Sequence, residues 1–195
     1  LNALDVEAVL IPGDFVFHST EEAEHLRPFA DLEHPSYAVM GNHDHQHADV
    51  DVIQALLEEG GMHILRNDSV VLQTSAGPVT VAGIDDVWFT PNPVMALEDT
   101  DGPVLFLSHN PDFILDPYAD KTDLILSGHT HCGQIRLPAL GPVPPLPTQL
   151  GRAWDCGLFE LDHGGQLYIT PGVGETGPRA RLFNPPQIDV LTIRF

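Results

Sequence analysis

Tyr37–Asp44 reads YAVMGNHD, so that four apolar residues are followed at once by Gly41 and by the polar triplet Asn42-His43-Asp44. A short apolar run that stops at a glycine is typical of a buried strand that ends in a turn. The sequence therefore predicts that a strand carries an amide, an imidazole and a carboxylate to one edge of a sheet.

Three other apolar runs end in the same way. Val6–Ile11 leads to Gly13-Asp14, Val104–Leu107 leads to Ser108-His109-Asn110, and Leu124–Leu126 leads to Gly128-His129-Thr130-His131. In open α/β sheets, ligands bind beyond the carboxyl ends of the strands. Imidazole suits zinc and iron, while carboxylate and amide oxygens also accept manganese or magnesium. The four strand ends together predict a metal site.

Each of these features has an ordinary interpretation when it is taken alone. A single histidine after a strand is usually a surface residue, and Gly-Asp is usually only a turn. The two triplets at the ends of two strands are harder to dismiss, and His129 and His131 are spaced so that both can reach one pair of ions. Of the remaining histidines, His45 and His47 adjoin the first triplet and are candidates to line the site.

The rest of the chain predicts a layered α/β domain that covers residues 1–195. Helices are predicted at Thr20–Leu32, after a cap at Ser19 or Thr20, at Val50–Glu59 and at Pro93–Asp99. Further strands are predicted at Val70–Thr74, Val79–Ile84, Gly157–Leu161, Gln166–Thr170 and Ile188–Phe195. Leu137–Pro147 is rich in proline and predicts a rigid loop.

The composition limits the class of protein. Eight Lys+Arg stand against 28 Asp+Glu, which gives a net charge of −20, and 43% of the 195 residues are hydrophobic. This charge excludes a basic surface for nucleic acid, and the apolar content argues against disorder. The sequence contains no run of about 18 apolar residues, so it predicts no membrane-spanning helix. Two cysteines make no disulfide framework. Cys132 directly follows His131 and is expected either as a free thiol in a tight turn or near the metals, and Cys156 is expected in the core.

The strand-end motifs resemble those of the calcineurin-like metallophosphoesterases in order and spacing. Gly128–Pro138, Pro171–Gly177 and Asn184–Thr192 are similar to a bacterial branch of that family. This branch includes phosphodiesterases, some of them membrane-associated, and relatives that cleave the pyrophosphate of a UDP-acylated glucosamine.

The resemblance implies a site for two metal ions, manganese, zinc or iron. Asp14 would bridge the ions, Asn42, His109 and His129 would bind one of them, and His131 would bind the other. A bridging carboxylate offsets the repulsion between two cations that lie roughly 3.5–4 Å apart.

The resemblance also implies the fold and the chemistry. The fold would be an αββα sandwich of two mixed sheets flanked by helices. His43 would act on the phosphate or the leaving oxygen of the substrate, and Asp44 would orient His43. The substrate would be a small-molecule or lipid-linked phosphoester, at the membrane surface or in the bacterial cytoplasm.

One motif of the family is missing. The family opens with Asp-x-His on the strand before Gly13-Asp14, and the residues before Asp14 include Asp5 but no histidine. We therefore expect a domain that lacks its first strand at the N-terminus. Three functions follow as alternatives: a phosphodiesterase or phosphatase, a non-catalytic domain that binds one metal ion, and a UDP-acylglucosamine pyrophosphohydrolase. A one-metal variant and a site completed by a partner chain also stay open, whereas a histidine-rich storage protein fits less well because the histidines fall at distant strand ends.

Overall fold

A computed structural model describes residues 1–98 and 100–194, and its first sheet is parallel throughout. The strands β1 (Val9–Ile11), β2 (Ser36–Ala38) and β3 (His63–Ile64) lie in the order β1-β2-β3. β1 pairs with β2 in parallel, and β2 pairs with β3 in parallel. The expectation of two mixed sheets is therefore wrong for this sheet.

The second sheet is mixed and has six strands: β4 (Asp68–Thr74), β5 (Gly77–Gly83), β6 (Val104–Leu107), β7 (Leu124–Ser127), β10 (Gly157–Glu160) and β11 (Gln166–Ile169). They lie in the order β10-β11-β7-β6-β5-β4. Four of them, β5, β6, β7 and β11, run parallel, while β4 and β10 at the two edges pair antiparallel. β4 and β5 form an antiparallel hairpin and overlap the strands predicted at Val70–Thr74 and Val79–Ile84.

The two sheets pack face to face through an apolar core. Val39 and Leu65, which directly follow β2 and β3 of the first sheet, belong to one apolar cluster with Val81, Leu107 and Leu126 of the second sheet. Burial of such side chains contributes roughly 1.5–3 kcal/mol each to the free energy of unfolding. The core therefore fixes the strand ends of both sheets relative to each other.

Helices cover the outer faces of the two sheets. The 3-10 helix Thr20–Asp31 and α2 (Val50–Glu59) pack on the first sheet through residues such as Ile53 and Leu57. α3 (Pro93–Ala96) and the 3-10 helices Pro111–Leu115 and Pro117–Lys121 lie on the second sheet. α1 (Asn42–His47) follows β2 directly.

Three predicted elements differ from the structure. The helix predicted at Thr20–Leu32 is a 3-10 helix, and Pro28 inside it has no N–H to donate to an α-helical ladder. The strand predicted at Ile188–Phe195 is absent from residues 188–194, where the Asp189 carboxylate accepts a hydrogen bond from Thr170 Oγ1 at 2.6 Å, and Phe195 lies outside the described residues. The helix predicted at Pro93–Asp99 is observed as Pro93–Ala96, and Asp99 also lies outside them.

The proline-rich segment is ordered differently from a simple loop. It contains the short antiparallel pair β8 (Arg136–Leu137) and β9 (Gly141–Pro142), and a 3-10 helix follows at Arg152–Trp154. Among the described helices, none has the length and apolar character that crossing a membrane requires.

The expectation for the two cysteines is wrong. Cys132 and Cys156 form a disulfide, and their Cα atoms lie 4.8 Å apart across 24 positions of sequence. The folded chain brings the turn after β7 against the segment before β10, a long-range approach that spacing alone does not reveal. The disulfide ties the turn that contains His131 to the second sheet.

Candidate metal centre

The carboxyl ends of four parallel strands bring four predicted ligands together. Asp14 follows β1, Asn42 starts α1 after β2, His109 follows β6 and His129 follows β7. His109 Nε2 lies 3.2 Å from Asp14 Oδ2, 3.2 Å from Asn42 Oδ1 and 3.1 Å from His129 Nδ1. Ligand atoms of Asp14, His109 and His129, which we call the donor cluster, all lie within 4.8 Å of one another.

The second nitrogen of each histidine in the donor cluster is held by a backbone carbonyl. His109 Nδ1 lies 2.7 Å from the Pro12 oxygen, and His129 Nε2 lies 2.8 Å from the Pro147 oxygen. Each ring is thereby oriented with its other nitrogen toward the cluster, an arrangement that is common for histidines that ligate metals. One carboxylate, one amide oxygen and two imidazoles fit a divalent transition-metal ion.

In the donor cluster without a metal ion, the pKa values of the two histidines shift in opposite directions. Burial favours a lower pKa for His109, but the charge of Asp14 outweighs it and raises this pKa to about 9. Burial also opposes ionisation of Asp14, yet His109 holds its pKa well below the usual range. Burial and the neighbouring His109 lower the pKa of His129 to about 3. A proton on His109 therefore occupies the centre at neutral pH, and a metal ion would have to displace it.

The glycines of two motifs make room for the Asp14 carboxylate. Gly13 has φ +90°, and a Cβ there would lie 2.7 Å from the Gly41 nitrogen. A Cβ on Gly41 would overlap Asp14 Oδ1 and would lie 2.8 Å from His109 Cε1. Asp14 itself has φ 60°, a left-handed conformation that is strained for a residue with a side chain.

The Asp44 carboxylate, which the resemblance assigns to the orientation of His43, lies against the backbone of the Asp14 loop. It is fully buried and accepts hydrogen bonds from the backbone N–H groups of residues 14–16 and of Gly41, at 2.8–3.1 Å. Burial raises the pKa of Asp44 to about 6, with a further contribution from the charge of Asp14. Asp44 thus fixes the loop that presents Asp14 to the donor cluster.

His43 lies at the rim of the centre and is half-buried. Its backbone N–H donates to Asp14 Oδ1 at 2.9 Å. Its ring stacks on Phe17 with a centroid distance of 5.3 Å, and Nδ1 lies 3.2 Å from the Phe17 carbonyl oxygen. Nε2 lies 3.4 Å from Thr176 Oγ1. The Phe17 carbonyl and ring, rather than Asp44, therefore set the orientation of the imidazole.

The fifth predicted ligand, His131, lies outside the donor cluster. Its Nδ1 is 3.4 Å from Arg181 Nη2, and its carbonyl oxygen accepts a hydrogen bond from Asn184 Nδ2 at 2.6 Å. Burial lowers the pKa of His131, and the charge of Arg181 acts in the same direction. His131 is therefore a neutral ring whose described partners come from the C-terminal segment.

The two further candidates, His45 and His47, do not join the donor cluster. His45 Nε2 lies 2.5 Å from Asp85 Oδ1, and its ring stacks on Phe89. Asp85 also accepts hydrogen bonds from Arg66, so His45 belongs to a hydrogen-bonded network that links α1 to Asp85 and Arg66. His47 is exposed, and its ring lies 5.1 Å from that of His43.

Sequence reasoning missed Asp86 and Arg181. Asp86 is buried, and burial raises its pKa; Oδ2 has no hydrogen-bond partner among the described residues. The Trp88 ring meets the His129 ring edge-on at 4.8 Å and is half exposed. A polar pair, Asp85-Asp86, after the apolar strand β5 was a signal for the first; the sequence around Arg181 gives no comparable one.

Comparison with known proteins identifies the family. The model of the calcineurin-like phosphoesterase family matches residues 1–133, which hold every residue of the donor cluster. The chain therefore belongs to the calcineurin-like phosphoesterase family, as the resemblance of the motifs predicts.

Several bacterial proteins are similar over most of the chain. The uncharacterised metallophosphoesterase YkoQ of Bacillus subtilis is 32% identical over 94% of this chain and 71% of its own length. An uncharacterised metallophosphoesterase of Helicobacter pylori is 31% identical over 99% of this chain and 52% of its own length. The phosphodiesterase YaeI of Escherichia coli is 29% identical over 86% of this chain and 63% of its own length. The chain thus spans between 52% and 71% of the length of these relatives.

Proposed function

We propose that this chain is a metal-dependent phosphoester hydrolase that cleaves phosphodiesters, with divalent ions bound at the donor cluster. The main support for this proposal is that Asp14, His109 and His129 converge, with Asn42 beside them, at the carboxyl ends of strands from both sheets. Family membership and the phosphodiesterase YaeI among the relatives support the reaction class. Helices on the outer faces of two facing sheets support the αββα sandwich of the resemblance.

Manganese, zinc or iron would supply an activated water and positive charge for the phosphate oxygens. The side chains of this chain would do the rest. Asp14, Asn42, His109 and His129 would hold the metal, and His131 would approach it from the turn after β7. His43 Nε2 at the rim would donate a hydrogen bond or a proton to the phosphoryl group or the leaving oxygen. Asp44 would keep the Asp14 loop in place.

The substrate that we propose is a phosphodiester, either a small molecule or linked to a lipid. The net charge of −20 would make most of the protein surface repel such an anion. Bound metal would supply the local positive field that most of the side chains lack. The substrate would therefore be attracted to the centre and not to the general surface.

The test is hydrolysis of bis(p-nitrophenyl) phosphate with Mn²⁺ by the wild type, Asp14→Ala and His43→Ala. Asp162→Ala and His25→Ala, which change exposed residues, are the matched controls. We expect turnover in the wild type and both controls, and loss of about a hundredfold or more in the two site variants. Absence of turnover, or site variants as active as the controls, refutes the proposal.

The second candidate function is a non-catalytic domain that binds one metal ion. The observation in its favour is that His131 is not part of the donor cluster and that its Nδ1 lies 3.4 Å from Arg181 Nη2. Elemental analysis distinguishes the two functions. About one ion per chain without turnover supports the second candidate, and two tightly bound ions per chain exclude it.

A further inference from the structure

Among the half-buried arginines of the described residues, Arg181 is the one without a carboxylate partner. Against 28 acidic residues there are only eight lysines and arginines. In residues 1–98 and 100–194, the arginines that form ion pairs with carboxylates are Arg27, Arg66 and Arg136. Arg181 is half-buried and has no such ion pair in the same part of the chain.

Backbone carbonyls hold the Arg181 guanidinium beside the centre. Nε donates to the Gly174 oxygen at 3.0 Å, and Nη2 donates to the Pro171 oxygen at 2.8 Å and lies 3.4 Å from His131 Nδ1. Nη1 has only a long contact of 3.5 Å to the Asn184 oxygen. Carbonyl dipoles fix the position of the group without cancelling its charge, and Nη1 keeps donor capacity.

Residues 171–184, which we call the C-terminal strap, are tied to the turn after β7. Gln134 Nε2 donates to the carbonyl oxygens of residues 176, 178 and 180 at 2.8–3.0 Å, and Gln134 Oε1 accepts from the Thr176 N–H at 2.8 Å. Asn184 Nδ2 donates to the His131 oxygen at 2.6 Å. Because the anchors lie on the same turn as His129 and His131, the strap holds Arg181 at a set position relative to the donor cluster.

The strap contacts both histidines that flank the donor cluster. Thr176 Oγ1 lies 3.4 Å from His43 Nε2, and Arg181 Nη2 lies 3.4 Å from His131 Nδ1. A phosphoryl group between the cluster and the strap would meet His43 on one side and the guanidinium on the other. The guanidinium group is permanently charged, and its Nη1 could donate to a phosphate oxygen.

We propose that Arg181 binds a non-bridging oxygen of the substrate phosphoryl group and stabilises the charge on it during hydrolysis. The inference rests on the proposed phosphodiesterase function and assigns its phosphate-binding residue to the strap.

The experiment compares Arg181→Ala and Arg181→Lys with Arg179→Ala in the Mn²⁺-loaded protein. Arg179 is an exposed residue on the same strap, so its replacement removes the same charge two positions away. With bis(p-nitrophenyl) phosphate, we expect kcat/KM of Arg181→Ala to fall by about a hundredfold and that of Arg179→Ala to stay within about twofold. Arg181→Lys should lie between them, because it keeps the positive charge but loses both the Nη1 donor and the carbonyl contacts that position the guanidinium.

Two further readouts separate phosphate binding from a structural effect. Inorganic phosphate should inhibit the wild type competitively and inhibit Arg181→Ala at least about tenfold more weakly. Added guanidinium, at concentrations that leave the thermal midpoint unchanged, should restore part of the activity of Arg181→Ala and none of that of Asp14→Ala.

The outcomes separate the two proposals. If the wild type is active, Asp14→Ala is inactive and Arg181→Ala matches Arg179→Ala, the inference is overturned while the phosphodiesterase function stands. Loss of activity in Arg181→Ala with a lower thermal midpoint, unchanged phosphate inhibition and no rescue also overturns it, since the residue then only holds the strap. A wild type without turnover under any of the metals refutes the function and the inference together.

Discussion

The donor cluster and the strap side of the centre are built in different ways. Asp14, His109 and His129 emerge from strands that pair with their neighbours and pack into a shared core, and both imidazoles are oriented by backbone carbonyls. His131 instead meets Arg181, which belongs to a segment without strands or helices. The sheets therefore position the donor cluster, whereas contacts with the C-terminal strap position the side of the centre that contains His131.

This difference has an energetic basis. A strand end is held by a ladder of hydrogen bonds and by apolar burial, so its side chains are preorganised before a ligand arrives. The strap is held by one short backbone bridge between Ile135 and Leu182 and by side-chain hydrogen bonds, each hydrogen bond worth only about 0.5–1.5 kcal/mol. We therefore expect changes beneath the donor cluster to abolish metal binding and changes on the strap side to alter its use.

The largest expected effect comes from Gly41→Ala. The added Cβ would overlap Asp14 Oδ1 and crowd His109 Cε1, so the carboxylate would have to leave the donor cluster. We expect metal affinity to weaken by about a hundredfold or more while the far-ultraviolet circular dichroism stays unchanged. Calorimetric titration with Mn²⁺ measures this, and a variant that binds like the wild type would show that the cluster is not the metal site.

Asp44→Asn separates the role seen in the structure from the role that the resemblance implies. The carboxylate accepts four backbone N–H groups around Asp14, so its replacement should loosen that loop and lower metal affinity by about 10–100-fold. If Asp44 instead oriented His43, metal affinity would hold and the pH profile of kcat would shift.

Metal binding to the donor cluster should release a proton. In the ion-free protein His109, with a pKa of about 9, is protonated at neutral pH, while His129, with a pKa of about 3, is already neutral. Metal affinity should therefore rise about tenfold for each pH unit between about 6.5 and 8.5, and then level off. Calorimetry in buffers of different ionisation enthalpy should report about one proton released per ion near pH 7.5. A binding enthalpy that is the same in every buffer contradicts this.

The smallest expected effect on the donor cluster comes from breaking the disulfide. Cys156→Ser frees the turn at Cys132, next to His131, and leaves the strands of the cluster in place. We expect the free energy of unfolding to fall by about 3 kcal/mol, with metal affinity changed by less than about threefold. Denaturant unfolding measures the first quantity, and wild-type protein in reductant should match the variant. Equal stability with and without reductant would argue against the disulfide.

Much of the centre could be predicted because its signals are local. An apolar run followed by a glycine and polar residues marks each strand end, and parallel strands place such ends at one edge. The pairing of Cys132 with Cys156 and the contact of Arg181 with His131 could not be predicted in this way. They join positions far apart in the chain, and no local pattern records such a distance.

One strand prediction was wrong, and the contacts of one site residue could not be read from its neighbours in sequence. The apolar and β-branched residues of Ile188–Phe195 favour a strand, yet residues 188–194 have no strand partner and Asp189 binds Thr170 instead. Asp44 lies next to His43 in sequence, but α1 turns the carboxylate toward the backbone of the Asp14 loop.

The sequence by itself determined the family, the α/β class and the residue types that converge, because strand ends and motif spacing are properties of neighbouring residues. Only the tertiary structure decided that Asp14, His109 and His129 share one point while His131 faces Arg181. It also decided that the Asp44 carboxylate supports the loop of Asp14 and that Arg181 lies beside His131. These facts depend on how the two sheets and the strap pack, and packing is set by contacts between residues that are distant in the chain.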